Sequence, residues 1–150
     1  MKAVVQRVKY ASVTVDDVKI SEIKQGVLLL LGVANKDTTE DIVWLSKKIA
    51  NLRIFNDENN VMNKSLITID GEAIVVSQFT LQASTKKGNR PSYLRAAKPE
   101  LAIPMYEAFV KQFEKELGKK VGTGEFGADM KVELLNDGPV TIIIDTENKI

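Results

Sequence analysis

The run Val27-Leu28-Leu29-Leu30-Leu31-Gly32-Val33 constrains the fold more than any other segment of this chain. Such a continuous apolar run suits a strand buried on both faces, although by periodicity alone it also suits a segment of buried helix. Even extended to Ala34 it is far shorter than the roughly 20 apolar residues that a membrane-crossing helix needs. Around it, apolar residues alternate. Residues 2–8 and 11–15 are short, Val-rich and alternating, and read as strands. Val18–Ile23 is expected to pair with the second of them, and Gln25-Gly26 to turn the chain into the apolar run.

Two segments depart from alternation. Thr38 with Asp41 three residues later resembles a capping box, Asp standing for the usual Glu. Ile42, Leu45, Ile49 and Leu52 then recur at helical spacing. Trp44 lies off that stripe and is expected at an edge or against a partner subunit. Pro99 opens a second helix with Glu100 in its first turn, and Pro104 falls where a missing N–H is tolerated. Leu101, Met105, Phe109, Phe113 and Leu117 lie four apart, and Gly118 is the expected stop. Asp57-Glu58-Asn59-Asn60 and Gly71 mark turns, residues 73–79 read as a strand, and residues 82–98 as a long polar loop. Two closing strands near 130–135 and 140–145 are joined through Asn136-Asp137-Gly138-Pro139. Two helices among many strands, without regular βαβ alternation, imply an α+β fold. The expectation is a single domain over 1–150, an antiparallel or mixed sheet or small β-barrel with two main helices packed on one side.

The chain has no cysteine and no histidine. Disulfides are excluded, and so are the usual zinc ligand sets and any Ser-His-Asp or Cys-His arrangement. A metal would need carboxylates alone, and the usual neutral-pH general base is missing. Neither a metal nor a cofactor is expected. Hydrolysis would have to use a hydroxyl, backbone groups, a Lys or carboxylate, or the substrate's own groups. Arg7 breaks any apolar signal-peptide core, and a cytoplasmic protein is expected. The net charge of +1 would not hold RNA by bulk electrostatics, so nucleic acid would need a local patch.

Five segments could carry chemistry. Ser77-Gln78-Phe79-Thr80-Leu81 ends an apolar strand with three polar side chains. The pleat would send Ser77 and Phe79 to one face and Gln78 and Thr80 to the other. Such an end presents a hydroxyl and an amide to a cleft, or simply bonds its own backbone. Asn136-Asp137-Gly138-Pro139-Val140-Thr141 is either an ordinary tight turn or one whose Gly-Pro bond is cis and aims carbonyls at a substrate amine. From Thr80 to Pro99 there are five basic residues, Lys86, Lys87, Arg90, Arg95 and Lys98, and no acidic ones. With Tyr93 among them they suit a phosphate backbone and a stacked base, or are a solvated loop. Phe126-Gly127-Ala128-Asp129-Met130 could wall an apolar pocket or be core. Arg7 is an interface or ligand group, or a strand-edge charge.

Together these segments resemble the D-aminoacyl-tRNA deacylase family, also called D-tyrosyl-tRNA deacylases. The resemblance runs from Met1-Lys2-Ala3-Val4-Val5-Gln6-Arg7-Val8 through Leu52-Arg53-Ile54-Phe55, Ser77-Gln78-Phe79-Thr80-Leu81, Arg90-Pro91-Ser92 and Phe126-Gly127-Ala128-Asp129-Met130 to Asn136-Asp137-Gly138-Pro139-Val140-Thr141. The serine-to-leucine and Gly-Pro motifs are the family's two signatures. Asn60-Val61 stands where relatives commonly carry Gly-Lys, and Ser84 where an acid is frequent.

The resemblance implies a homodimer with the active site at the subunit interface and D-aminoacyl-tRNA as substrate. It implies a cis Gly138-Pro139 bond reaching into the partner's pocket and excluding L-aminoacyl esters by position. Thr80 would act as a nucleophile or order the site, with Gln78 and Phe79 beside it. Without His or Cys to activate Thr80, catalysis assisted by the terminal adenosine's 2′-hydroxyl is favoured. Backbone N–H groups near Phe79 and Thr80 would stabilise the oxyanion. Ser77, Phe126, Met130 and Arg7 would bind substrate, and Lys86, Lys87 and Arg90 the tRNA. The alternative reading is a non-catalytic RNA-binding accessory of translation.

Overall fold

A computed structural model describes residues 1–150. Strand β1 (Lys2–Val15) is one continuous element and not two short strands. Its pairing slips on either side of Val8, next to exposed Lys9 and Tyr10. The interruption in the sequence alternation is therefore a bulge within one strand. The first half of β1 pairs antiparallel with β3 (Gly26–Gly32), from Lys2↔Gly32 to Val8↔Gly26. The second half pairs with β2 (Val18–Ile23) as expected. Both halves pair with β8 (Met130–Asp145), which is likewise one strand where two were expected.

Strand β3 runs parallel to β6 (Glu72–Ser77), and β6 runs parallel to the short β7 (Gly122–Thr123). The order β2-β1-β3-β6-β7, with β8 on β1, makes the sheet mixed. Strand β2 also approaches β6 and β7: a Cβ on Gly122 would stand 2.7 Å from the Ser21 hydroxyl. The sheet thus curls almost into a barrel. A separate hairpin, β4 (Phe55–Asn56) and β5 (Met62–Lys64), flanks the expected turn at 57–60.

Helices α1 (Thr39–Asn51) and α2 (Pro99–Leu117) pack on each other and on one face of the sheet. There Ala3, Val5, Leu29, Leu31 and Val75 meet Leu45, Ile49, Phe109 and Phe113. The opposite face holds a smaller cluster, with Leu28, Ile74 and Val76 under Val8, Val13 and Ile23. The apolar run is therefore a strand covered on both sides. Asp41 accepts the Thr38 N–H at 2.8 Å at the start of α1, and Gly118 ends α2 at φ 70°. The four-residue row expected on α2 drifts off the core: Leu101 is exposed, and Ala102, Tyr106, Phe109, Val110 and Phe113 are buried. A spacing of four exceeds the 3.6-residue turn, so the row winds round the helix. No helix is long and apolar enough to cross a membrane.

One part of the sheet has no cover. Val76, Leu30, Val4 and Ile143 are successive cross-strand neighbours on the face away from the helices. Val76 is buried, Leu30 and Val4 are half-buried, and Ile143 is 70% exposed.

Tyr106 joins α2 to the sheet, its hydroxyl donating to the Val75 carbonyl at 2.6 Å. Burial pushes its phenol up to about 12 from an ordinary 10.0. The folded state therefore retains a proton that the unfolded chain releases as pH rises through 10. Stability from this group is full below that value and declines as pH rises to about 12. Tyr106→Phe is expected to cost about 1 kcal/mol near pH 7 by urea unfolding. It should also lack the wild type's extra decline above pH 10.

Candidate active site

The expected strand over 73–79 ends at Ser77. Gln78 turns the chain (φ −144°, ψ 81°) into a 3₁₀ turn, Phe79–Gln82. The period-two alternation expected through Thr80 therefore stops at the strand end. Gly32 explains why the chain turns here. A Cβ on it would lie 2.9 Å from both the Gln78 carbonyl oxygen and Leu81 Cβ, so only glycine lets the turn settle on β3. The Gln78 N–H donates to the Leu31 carbonyl at 2.8 Å, and the buried Gln82 side chain donates to the Gly32 carbonyl at 2.9 Å.

Within the turn, Gln78 Nε2 donates to Thr80 Oγ1 at 2.6 Å. The Thr80 hydroxyl is thus held as an acceptor and keeps its own proton to give. The turn's first internal bond runs from Leu81 N–H to the Gln78 carbonyl at 3.2 Å. The N–H groups of Phe79 and Thr80 precede it and take no part in the turn's own bonding.

A cavity of about 250 Å³ opens beside this turn. Val76, Ser77, Gln78 and Phe79 form one wall, and Phe126, Gly127, Ala128, Met130 and Val132 the other. The structure therefore brings together Ser77, Gln78, Phe79, Phe126 and Met130, with Thr80 behind Gln78. Phe79 is 54% exposed and packs edge-to-face on Tyr93, ring centres 5.1 Å apart. Gly32, Gln82 and Val132 escaped the sequence reading. A glycine inside a strand pattern signals close backbone approach and could have pointed to Gly32. Nothing in the sequence distinguishes Gln82 from its loop neighbours.

Gly138, Pro139 and Arg7 do not line this cavity. Their segment is not the turn between two strands that the sequence suggested. Thr141 lies opposite Gln6 and Asn136 opposite Val8, so residues 137–140 form an excursion from β8 facing the single residue Arg7. The Gly138-Pro139 bond is cis, and both residues are exposed. Arg7 is only 7% exposed and braces the excursion from behind. Its Nε donates to the Asp137 carbonyl at 2.9 Å, and its Nη1 to the Ile54 carbonyl at 2.7 Å. The Asp137 carboxylate lies 3.6 Å from Nε and compensates the buried charge. Asn136 donates to the carbonyls of Arg7 and Val140 at 3.1 and 3.0 Å, closing the base of the excursion.

Lys86, Lys87 and Arg90 are exposed on a loop whose neck is a pair of bonds between Ser84 and Ser92, at 2.8 and 2.9 Å. Arg95, further along, is held to Glu147 at 2.9 Å.

Gly32→Ala is the sharpest test of how the turn is seated. It should displace the Gln78–Gln82 turn and cost about 1–3 kcal/mol in urea unfolding. Helix content by circular dichroism should remain unchanged. An unshifted midpoint would mean that the turn does not depend on this close approach.

A family model described as D-Tyr-tRNA(Tyr) deacylase matches residues 4–145. The chain is 66% identical over 149 residues to proteins named D-aminoacyl-tRNA deacylase in Flavobacterium psychrophilum and Parabacteroides distasonis, with 99% of each chain covered. Among solved structures it is similar to c-Myc DNA Unwinding Element Binding Protein, with a TM-score of 0.92 and 43% identity over 97% of this chain and 99% of that one. A probable eukaryotic D-amino acid tRNA deacylase shares the fold at a TM-score of 0.83 and 15% identity, over 95% of this chain and 97% of that one. A match over nearly the whole length, at this level of identity, establishes that this chain belongs to the D-aminoacyl-tRNA deacylase family.

Proposed function

We propose that this protein hydrolyses the ester of D-aminoacyl-tRNA, releasing D-amino acid and tRNA, as a homodimer with its sites at the subunit interface. The observation that carries this reading is the cavity between Ser77–Phe79 and Phe126–Met130, flanked by N–H groups that the turn does not use. In the reaction, water adds to the ester carbonyl carbon. The bond to the ribose oxygen then breaks, and that oxygen leaves with a proton as the free hydroxyl. The N–H groups of Phe79 and Thr80 stabilise the oxyanion between these steps. Thr80 has no His or Cys to take its proton and accepts a bond from Gln78, which favours an ordering role over a nucleophilic one. The neighbouring 2′-hydroxyl of the terminal adenosine assists the attack by proximity.

What supports the dimer is the uncovered row Val76-Leu30-Val4-Ile143. It begins at a residue lining the cavity and ends at the exposed Ile143. Apolar surface of this kind calls for a further layer. A second copy on that face would cover the row and offer its braced Gly138-Pro139 excursion to the cavity. There its carbonyls take the substrate amine and leave no room for an L side chain. Lys86, Lys87 and Arg90 contact the tRNA, and the cytoplasm is the compartment in which aminoacyl-tRNA is met.

Hydrolysis of D-Tyr-tRNA and L-Tyr-tRNA, side by side and with and without EDTA, tests this. Loss of only the D-ester, unaffected by EDTA, is the expected result. Loss of both would sink the role given to Gly138-Pro139, and loss of neither would leave an RNA-binding accessory. Gly138 sits at φ 133°, and a Cβ there would lie 2.8 Å from Val140 Cγ2 and 3.1 Å from Arg7 Nη2. Gly138→Ala should therefore shift the excursion and lower kcat/KM on the D-ester by about 100-fold. The strain at this φ should also cost about 1 kcal/mol in urea unfolding, far less than would unfold the enzyme under assay conditions.

A further inference from the structure

We propose that the face of α1 around Trp44 is a second RNA-contact surface, binding the phosphodiester backbone of the substrate beyond its aminoacylated end. This proposal rests on the deacylase reading above. Two grooves meet at Trp44. One, of about 780 Å³, runs along the outer side of α1. The other, of about 430 Å³, lies between α1 and the end of β8. Trp44, Lys48 and Leu52 line both. The ammonium groups of Lys48 and Lys149 stand 5.6 and 4.4 Å from the centre of the Trp44 ring.

The charge around this ring is net positive. Lys47, Lys48, Arg53 and Lys149 line the grooves, and none of the four is paired with a carboxylate. The side-chain carboxylates lining the grooves are Glu40 and Asp145, and Asp145 already faces Lys2 at 3.9 Å. An apolar protein partner would bury these cations without counter-charge, which is costly. A polyanion gains from each of them, and the indole offers a face on which a base can stack. The chain's net charge of +1 gives no general attraction for RNA, so a concentrated patch has to supply it.

The position also fits. Ser77 pairs with Leu31, and Lys2 pairs with both Gly32 and Asp145. The end of β6, where the cavity opens, and the end of β8, beside Trp44, are thus at the same end of the sheet. They are three strand spacings apart, roughly 15 Å. Between them runs the basic loop, held by the Arg95–Glu147 pair to the segment that carries Lys149. The Arg95–Glu147 pair thus ties the loop beside the site to the chain end that reaches Trp44.

The test compares D-Tyr-tRNA with the D-Tyr ester of a short 3′-terminal oligoribonucleotide, using wild type and Lys47→Glu/Lys48→Glu. KM for the tRNA should rise about tenfold with kcat unchanged, the short ester should be unaffected, and Lys47→Arg/Lys48→Arg should behave as wild type. The slope of log affinity against log salt should fall by about 1 for each lysine removed. An unchanged KM, or an equal loss on both esters, would overturn the proposal. So would a change of oligomeric state by light scattering, which would give this face to a second copy. Fluorescence anisotropy with uncharged, labelled tRNA reads the surface without turnover. Wild-type binding that the double variant loses, with neither ester cleaved, would remove the deacylase reading and leave the surface standing.

Discussion

Strand β1 pairs with three of the other strands of the main sheet, and the remaining two follow through β3. The first half of β1 lies between β3 and β8, and its second half between β2 and β8. A single strand can serve both settings only because the bulge around Val8 turns it between them. The first setting buries Ala3 and Val5 under the helices, and the second buries Ala11 and Val13 in the smaller cluster. The fold is thus a sheet that bends over itself, with helices on the convex side and a half-closed barrel on the other. The cavity lies in this barrel, where the end of β6 faces the start of β8.

Polar chemistry is concentrated where that bending leaves backbone unpaired. At the bulge, four residues of β8 have one opposite number, and the ladder cannot satisfy them. Arg7 and Asn136 take over the ladder's work, bonding carbonyls on three segments that are remote in sequence. At the end of β6, Gln82 and Gln78 do the same for the turn. The charge on Arg7 is tolerable inside the protein because carbonyl oxygens and the Asp137 carboxylate surround it. Both signature motifs are therefore braced by buried or part-buried side-chain hydrogen bonds from behind.

A net charge near zero conceals the electrostatics. Ion pairs such as Lys19–Glu22, Arg95–Glu147 and Lys119–Asp70 neutralise much of the surface. What they leave unpaired lies largely on the loop at 86–90 and around Trp44. Local density of this kind, and not total charge, decides whether a phosphate chain is held.

The sequence by itself determined the kinds of element and much of their extent, because burial on one face leaves a period of two or 3.6 in the apolar residues. Both helices and the α+β class were legible on that ground, and the lack of His and Cys limited the chemistry; the run at 27–33 carries no period, so strand and buried helix stayed open until its pairing was seen. The two motifs pointed to the family. Tertiary structure alone decided which elements meet. Periodicity states that a strand has a buried face and not which strand lies beside it, so the union of Ser77–Phe79 with Phe126–Val132 could not be read. The end of β6 at Ser77 depends on Gly32, forty-five positions away, admitting the turn. Arg7 had three sequence readings because a charge in a strand takes its meaning from what stands opposite. Only the register with β8 shows that it faces the excursion at 137–140 and is anchored to it by the Asp137 carbonyl.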